Sequence, residues 1–329
     1  MFKFILKRLF YIILILMMVS AFMFVLFRTM PGDPVDTFLP PEIAATMLPE
    51  EALAAREEII RTMGLDQPLV AQYFLWLGQM LQGNFGMSMQ TRQPVVELLR
   101  APMFNTVMIN ILNLIIVFLI TIPTGIYCAI KRGKVFDNGA LVFSMVGLSV
   151  PSFLFGLVLI VIFAVFLDIF PISGMASAVP PDRGTLAFVL DRLRFMALPL
   201  MTMVLTSLAG LIRFIRSAML DALSMDFVRT ARAKGLAEKT VIFSHAFRNA
   251  LIPIITVMTG WFVGIFGGSV IIEMTFGWHG MGWAMITALN LRDIGVLMTM
   301  NVFYALIAFV GLLIMDIAYA IADPRIRFE

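Results

Sequence analysis

Apolar residues in this chain gather into long runs that are separated by shorter polar segments. A helix needs about 20 apolar residues to cross the hydrocarbon of a bilayer, and six runs are close to that length or longer. Because these runs lack the period-two alternation of barrel strands, we predict helices, which satisfy their backbone amides internally. The predicted spans cover residues 9–27, 105–130, 140–167, 196–212, 250–272 and 296–321.

The composition indicates the same class of protein. Hydrophobic residues make up 60% of the 329 residues and charged residues only 14%, as expected of a polytopic membrane protein. The first apolar run follows Lys3, Lys7 and Arg8 but has no small-residue cleavage site, so we predict a retained helix rather than a signal peptide. The predicted fold class is therefore an all-α polytopic membrane protein with six transmembrane helices.

The positions of Lys and Arg predict which side of the membrane each loop faces, because short cytoplasmic loops retain basic residues. With the amino terminus inside, the largest basic group falls between the fourth and fifth spans. Its members are Arg213, Arg216, Arg229, Arg232, Lys234, Lys239 and Arg248. We therefore predict that both termini are cytoplasmic, and the positive charge requires no nucleic-acid partner.

Three parts follow from this topology. Residues 1–27 form a cytoplasmic tail and the first span, and residues 28–104 form a small helical extracytoplasmic domain. Residues 105–329 contain the other five spans, together with a cytoplasmic segment at 213–249. Within the outer domain, helices are predicted at 50–61 and 70–81 on either side of a turn at Gly64-Leu-Asp-Gln-Pro68.

Residues 216–248, which we call the basic hairpin, carry the most informative pattern in the chain. Ser224 or Asp226 is expected to cap a short helix that ends at Gly235. Phe227, Thr230, Ala231 and Lys234 follow the i, i+3, i+4, i+7 spacing of one helix face. We predict that a soluble partner docks here and drives the membrane part, which indicates a motor-driven transporter; an amphipathic linker lying on anionic lipid is the alternative.

Several kinds of chemistry find no support in the sequence. His245 and His279 fall on opposite sides of the predicted membrane, and hydrolase or metalloprotease motifs are absent, so we predict no enzyme activity and no metal site. The only Gly-Lys pair, Gly133-Lys134, lacks the remainder of a phosphate-binding loop. The chain is thus expected to bind no cofactor, and any ATPase would be a separate polypeptide.

An ordered set of short motifs resembles one transporter family over nearly the whole chain. Arg-Thr-Ala-Arg-Ala-Lys-Gly at 229–235 is followed by His-Ala-Phe-Arg-Asn-Ala-Leu-Ile-Pro at 245–253. Pro-Gly-Asp-Pro occurs at 31–34, Gly-Leu-Ser-Val-Pro-Ser-Phe at 147–153 and Asp-Pro-Arg-Ile-Arg at 323–327. Together they resemble the permease subunits of binding-protein-dependent ABC importers in the dipeptide, oligopeptide and nickel branch.

This resemblance implies a type I importer permease fold in a prokaryotic inner or plasma membrane. It implies a second, similar permease subunit, two ATPase subunits that use ATP and Mg²⁺ inside, and a solute-binding protein outside. It also implies that residues 226–238 couple the permease to the ATPases. The coupling residues implied are Asp226, Phe227, Arg229, Thr230, Ala231, Arg232, Lys234, Gly235 and Glu238.

Two further groups of residues are candidates for a moving gate and a transport path. Gly260, Gly264 and Gly268 recur every four residues and predict one stripe of close helix approach, with Pro253 as a bend near the start of the same span. Polar side chains within the spans are candidates for a translocation path: Asn110, Asn113, Ser149, Ser152 and Thr206.

The function predicted from these features is the import of small peptides by an ATP-driven system in which this chain does no chemistry. Import of nickel chelates or oligosaccharides would leave every motif unchanged. An ion-driven secondary carrier is a further alternative, although Asp316 is the only acidic residue placed within a predicted span.

Overall fold

A computed structural model of the chain describes residues 2–29, 35, 38–62 and 64–322. Helices account for nearly all regular structure in this described part, where the only β pairing is an isolated bridge between Met87 and Pro94. The helices, numbered here in chain order, are α1 Phe2–Arg28, α2 Pro41–Ala44, α3 Pro49–Thr62, α4 Leu69–Leu81, α5 Val95–Ile130, α6 Val135–Ser149, α7 Ser152–Leu159, α8 Leu186–Ser224, α9 Asp226–Ala233, α10 Glu238–Thr240, α11 Arg248–Gly264, α12 Val270–Phe276, α13 Met281–Asn290 and α14 Ile294–Ala322. Two π-helical stretches, Ile160–Phe166 and Val241–Phe247, continue α7 and α10.

The chain divides into two compact units. The first comprises Met1–Met103 with Ala284–Phe309, and the second comprises Phe104–Trp283 with Val310–Glu329. Helices α5, α13 and α14 each contribute residues to both units.

Aromatic side chains join α4 to α1 within the first unit. The Tyr73 ring packs edge-on against Phe24 with ring centroids 5.7 Å apart, and the Tyr73 hydroxyl lies 2.9 Å from the Ser20 hydroxyl. Both predicted outer helices are confirmed as α3 and α4, and the side-chain amide of Gln72 donates to the Leu65 and Gln67 carbonyls across the turn between them. Because α3 has no buried residue and α4 has three, α4 provides the packing of this region.

A polar contact in the first unit orders the start of α14. The Asp293 carboxylate accepts hydrogen bonds from the Ser88 hydroxyl and from the backbone N–H groups of Met89 and Val296. The Thr299 hydroxyl donates to the Phe85 carbonyl. Asp293 therefore caps α14 and also holds the loop that precedes α5.

Five helical segments are long and apolar enough to span a membrane, and a sixth span is formed if one bent pair is counted. They are Leu6–Leu26, Val95–Ile130, Leu186–Ser224, Glu238–Gly264 and Ile294–Met315, with Val135–Ser149 and Ser152–Phe166 as the bent pair. The predicted number of spans is thus compatible with the structure. Residues 31–34 and 323–327, which carry two of the family-like motifs, lie outside the described residues, as does the side chain of Asp316.

Two predicted spans need correction. The third is not one continuous helix, because its halves meet at an angle of 103° at Val150 and Pro151. A proline disfavours the helical conformation in the residue before it. Val150, which precedes Pro151, is extended with ψ of 126°. The fifth span ends at Gly264 instead of continuing to residue 272, and α12 forms a separate short helix.

Candidate functional site

Helix α9 lies at the centre of the basic hairpin. It begins after Met225, whose backbone is extended, and the chain leaves it through Lys234 and Gly235. Gly235 has φ of +76°, a left-handed conformation that favours glycine. The predicted end at Gly235 is confirmed. Neither predicted capping side chain caps the helix, since the Ser224 hydroxyl donates to the Asp221 carbonyl and the residue at the cap position is Met225, which makes no side-chain hydrogen bond there.

The inner side of α9 is formed by Val228 and Ala231, both almost fully buried. They belong to one hydrophobic cluster that includes residues of α5, α8, the π-helical stretch and α11. The other buried members are Ile126, Ala129, Ile215, Ala218, Met219, Ala222, Val241, Ile242, Ala246, Ala250 and Ile254. Because interior packing is dense, this cluster fixes α9 against the membrane-spanning helices α5, α8 and α11.

The outer side of α9 is exposed. It includes the predicted coupling residues Asp226, Phe227, Arg229, Thr230 and Lys234, and the predicted residues Arg232, Gly235 and Glu238 are exposed as well. The predicted face is therefore wrong in one member, because Ala231 points inward with Val228 while Phe227 remains 38% exposed. The small side chains Val228 and Ala231 fit against the π-helical stretch, and spacing alone did not distinguish this face from the one that contains Phe227.

An ion pair closes the turn after α9. The Arg232 guanidinium donates to both carboxylate oxygens of Glu238 at 2.6 Å and 3.1 Å, and hydrogen bonding to Glu238 raises the pKa of Arg232. Both side chains are about half exposed, so this pair stabilises the turn only modestly. Arg232 and Glu238 thus bridge the two arms of the hairpin around Gly235.

A second ion pair joins α6 to α8 and was missed by the sequence reasoning. The Arg216 guanidinium binds both carboxylate oxygens of Asp137, one at 2.8 Å, and the Gly133 N–H donates to the same carboxylate. The Asp137 side chain is completely buried. Asp137 follows the basic loop 131–134. A single acidic residue at the start of an apolar helix was the sequence feature that could have predicted this ion pair.

A buried polar cluster lies around Glu273, which is only 4% exposed. Its carboxylate accepts hydrogen bonds from the Trp283 N–H at 2.7 Å and from the Thr106 hydroxyl at 3.2 Å. Burial raises the pKa of Glu273, while these donors and the Gly282 N–H act in the opposite direction. A Cβ on Gly280 would overlap Thr106 and Glu273, which explains a glycine there.

Neighbouring α5 side chains bind the same irregular segment between α11 and α13. The Asn105 amide donates to the His279 carbonyl, and the Thr106 hydroxyl accepts from the Met281 N–H. The Asn110 amide donates to three carbonyls at the end of α11, those of Gly264, Ile265 and Gly267. Carbonyls at the end of a helix lack their usual i+4 partners, and among the described residues only the Gly264 carbonyl of the three also accepts a backbone hydrogen bond, from the Gly267 N–H. Asn110 therefore stabilises the early end of the fifth span.

The predicted glycine stripe does not lie on one helix. Gly260 and Gly264 are on α11 with open space at their Cβ positions, whereas Gly268 follows the helix and its Cβ would overlap the backbone of Gly282. The stripe prediction is therefore wrong for Gly268, because the fifth span ends four residues earlier. Pro253 lies inside α11.

The five candidate path residues occupy different surroundings. Asn110 lines a cavity of about 10 Å³ with Ser269, Glu273 and Trp278, space for about one water molecule. Asn113 is buried, and its side-chain oxygen has no hydrogen-bond partner among the described residues. Ser149 and Thr206 donate to carbonyls of their own helices, and Ser152 begins α7 after the bend. The path assignment of all five stays a prediction.

Comparison with known proteins identifies the architecture that carries these features. The family model described as binding-protein-dependent transport system inner membrane component matches residues 121–328. The model for the N-terminal part of such membrane components matches residues 1–110. The chain belongs to the binding-protein-dependent transport system inner membrane component family.

Full-length relatives of this permease are named for the transport of oligopeptides, of di- and tripeptides or of glutathione. The chain is 38% identical to the oligopeptide transport system permease protein AppB of Bacillus subtilis over 99% of both chains. It is 35% identical to the di/tripeptide transport system permease protein DppB of Pseudomonas aeruginosa over the whole of both. It is 31% identical to the glutathione transport system permease protein GsiC of Escherichia coli, again over the whole of both.

Family membership fixes several properties of the permease. It is a non-catalytic membrane subunit of an ABC importer, and its helical structure fits a type I permease fold. It works with a binding protein, as the family description states. Among the described residues no group of three His, Cys, Asp or Glu side chains is arranged to hold a metal ion.

Proposed function

We propose that this chain is one of two permease subunits in an ATP-driven importer that moves small peptides into the cytoplasm. Its relatives AppB, DppB and GsiC are named for oligopeptides, di- and tripeptides and glutathione, all of them short peptides. The similarity extends over the full chain, including the membrane spans. A peptide captured by an external binding protein is the substrate that best fits these relatives.

The packing of α9 is the observation that supports ATP-driven transport most directly. Its inner residues Val228 and Ala231 are held in a cluster with α5, α8 and α11, while Phe227, Arg229 and Lys234 remain exposed. A soluble subunit that binds the exposed side can displace α9 only by moving the spans packed on it. Two ATPase subunits that bind ATP and Mg²⁺ are the proposed partners at this surface.

The proposed orientation has both termini and the basic hairpin in the cytoplasm, as the distribution of Lys and Arg favours. Ala233 on α9 and Ala178 in the loop before α8 are both exposed and test this orientation. After Cys128 is changed to serine, single cysteines at the two positions are treated with a membrane-impermeant maleimide. Ala178→Cys should react in intact cells and Ala233→Cys only after permeabilisation; the opposite pattern would reject the proposed topology.

A second permease subunit is proposed as the partner within the membrane. Gly260 and Gly264 lie one turn apart on α11, and both are exposed with no atom near their Cβ positions. In membranes, small residues such as glycine let the backbones of two helices approach closely. Cross-linking of a cysteine at Gly260 to the co-expressed permease tests this arrangement.

Uptake measurements distinguish the proposed substrate from the alternatives. Cells that lack the chain are complemented with the wild-type gene and supplied with labelled di- to pentapeptides, nickel chelates or oligosaccharides in separate arms. We expect saturable peptide uptake that stops on ATP depletion and persists when ion gradients are collapsed. Uptake of only nickel chelates or oligosaccharides would assign a different substrate. Uptake that stops when the ion gradient is collapsed, but not when ATP is depleted, would indicate a secondary carrier.

A further inference from the structure

A groove of about 540 Å³ lies between α6 and α8 in the second unit. Leu141 and Leu148 line it from α6, and Arg213, Phe214 and Ser217 line it from α8. Leu148 and Phe214 are 55% and 36% exposed. The groove therefore combines apolar walls with polar groups, and it is not explained by coupling or by the cluster around Glu273.

Helix α8 is longer than the hydrocarbon core of a membrane is thick. Its 39 residues extend about 58 Å at 1.5 Å per residue, roughly twice the thickness of the hydrocarbon core. Arg213 directly follows the span predicted at residues 196–212, so we expect its guanidinium near headgroup level. Gly210, within the predicted span, and Leu148 of α6 also line the groove.

The two arginines of the groove differ in their partners. Arg216 is held by the buried carboxylate of Asp137, which satisfies its charge. Arg213 makes no hydrogen bond or ion pair with any residue that the structure describes. The exposed Arg213 is therefore available to an external anion, and a phosphate accepts two parallel hydrogen bonds from a guanidinium.

We propose that this groove binds an anionic phospholipid, with Arg213 as the ligand of its phosphate. Basic pockets between membrane helices recognise such headgroups. The Ser217 hydroxyl lies one turn from Arg213 and offers a second donor, while Leu141, Leu148 and Phe214 receive an acyl chain. A free phosphate would leave these apolar walls exposed, which is why a lipid fits the groove better.

Native mass spectrometry of the transport complex tests the proposal. The full chain is extracted with its partner subunits in mild detergent, and retention of added phosphatidylglycerol is compared with retention of phosphatidylcholine. The wild type should retain phosphatidylglycerol selectively, and Arg213→Gln should weaken retention about tenfold, as expected from the loss of a charged hydrogen bond. Arg248→Gln removes an exposed charge elsewhere on the chain and should leave retention unchanged.

A second variant tests the apolar part of the groove and does not alter Arg213. Gly210 is a helical residue at which a Cβ would meet only the Leu148 side chain, at an ordinary 3.7 Å, so Gly210→Leu places its remaining side-chain atoms in the groove. It should reduce retention as Arg213→Gln does, whereas Arg213→Lys keeps the charge but loses the two parallel hydrogen bonds and should give intermediate retention. If Arg213→Gln does not assemble, Gly210→Leu and Arg213→Lys still provide the comparison.

Three results would overturn the proposal. Equal retention by the wild type, Arg213→Gln and Gly210→Leu would show that bound lipid lies elsewhere. Release of the lipid by excess inorganic phosphate would indicate a site for a small anion. Absence of selective retention in the assembled complex would show that another subunit covers the groove.

Discussion

Gly235 shows how one backbone conformation can determine the shape of the basic hairpin. Its φ of +76° lies in the left-handed region, and no atom lies within 4 Å of a Cβ built there. A side chain at this position would therefore be opposed by backbone strain rather than by a steric clash. The turn between α9 and α10 requires glycine for its conformation alone.

We expect Gly235→Val to abolish uptake while membrane insertion stays normal. The β-branched side chain costs roughly 1–3 kcal/mol in this conformation, enough to displace α9 from its position. Gly235→Asn is the matched control, because asparagine tolerates the left-handed region. Peptide uptake and the amount of protein in the membrane check the prediction, and normal uptake by the valine variant would argue against a coupling role for the turn.

Glu273 is the residue whose importance was least apparent from the sequence. Glu273→Ala should destabilise the fold by roughly 1–3 kcal/mol for each donor left buried without an acceptor, since Trp283 N–H and the Thr106 hydroxyl lose theirs. Glu273→Gln keeps the shape of the side chain and should be much better tolerated. Thermal unfolding of the three proteins in one detergent measures the difference.

The same carboxylate predicts a dependence of stability on pH. Burial raises the pKa of Glu273 in the folded state above its value in the unfolded chain, about 4.3. Its contribution is then most favourable below that value and is lost as pH rises through the raised pKa. Glu273→Gln should therefore gain stability relative to the wild type as pH rises above about 4.3, whereas a stability difference independent of pH would contradict a raised pKa.

At the level of elements, the ion pair between Asp137 and Arg216 connects α6 to α8 near the basic loop 131–134. The carboxylate is completely buried and receives three hydrogen bonds. Removing one partner of such a pair leaves a buried charge uncompensated. The pair is thus a positional contact between two helices, one of which continues directly into α9.

Asp137→Ala should lower the free energy of unfolding by about 3–5 kcal/mol, the range for a broken buried ion pair. The exposed pair of Asp226 and Arg229, separated by 3.8 Å, is the control, and Asp226→Ala should change stability by less than about 1 kcal/mol. Unfolding midpoints of the purified proteins give both values. Equal effects of the two substitutions would show that burial of Asp137 does not determine its contribution.

At the level of the whole molecule, the helical region after α1 is separate in sequence from the hairpin that carries α9. Tyr73 of α4 contacts Ser20 and Phe24 of α1, so α4 covers one side of the first span. Deletion of residues 42–81 should expose these side chains and impair assembly or delivery from the binding protein. It should leave binding of the ATPases to α9 intact.

Co-purification measures this separation of roles. The deletion variant should retain the ATPase subunits and lose stimulation of ATP hydrolysis by the peptide-loaded binding protein. A double variant Glu50→Ala, Glu51→Ala, which changes exposed residues of α3, is the control and should behave as the wild type. If the deletion variant lost only the ATPase subunits, residues 42–81 would be assigned to ATPase binding instead of to the binding protein.

Local patterns predicted the features that depend on neighbours in sequence. The apolar runs predicted the spans because each helix satisfies its own amides in hydrocarbon, and Gly235 predicted the end of α9 because left-handed backbone favours glycine. The third span failed at Pro151, where a proline could mean a slight kink or a 103° bend. The inward position of Ala231 and the end of α11 at Gly264 were missed for a similar reason, since both depend on packing partners distant in sequence.

The sequence by itself determined that this is a helical membrane protein, which family it resembles and where its basic hairpin lies, because hydropathy, charge and ordered motifs are local properties. Only the tertiary structure decided which acids are structural. Asp137 and Glu273 acquire their roles from Arg216, Thr106 and Trp283, residues brought together by helix packing. The energy of a buried charge depends on the partners around it, and those partners are assembled only when the chain folds.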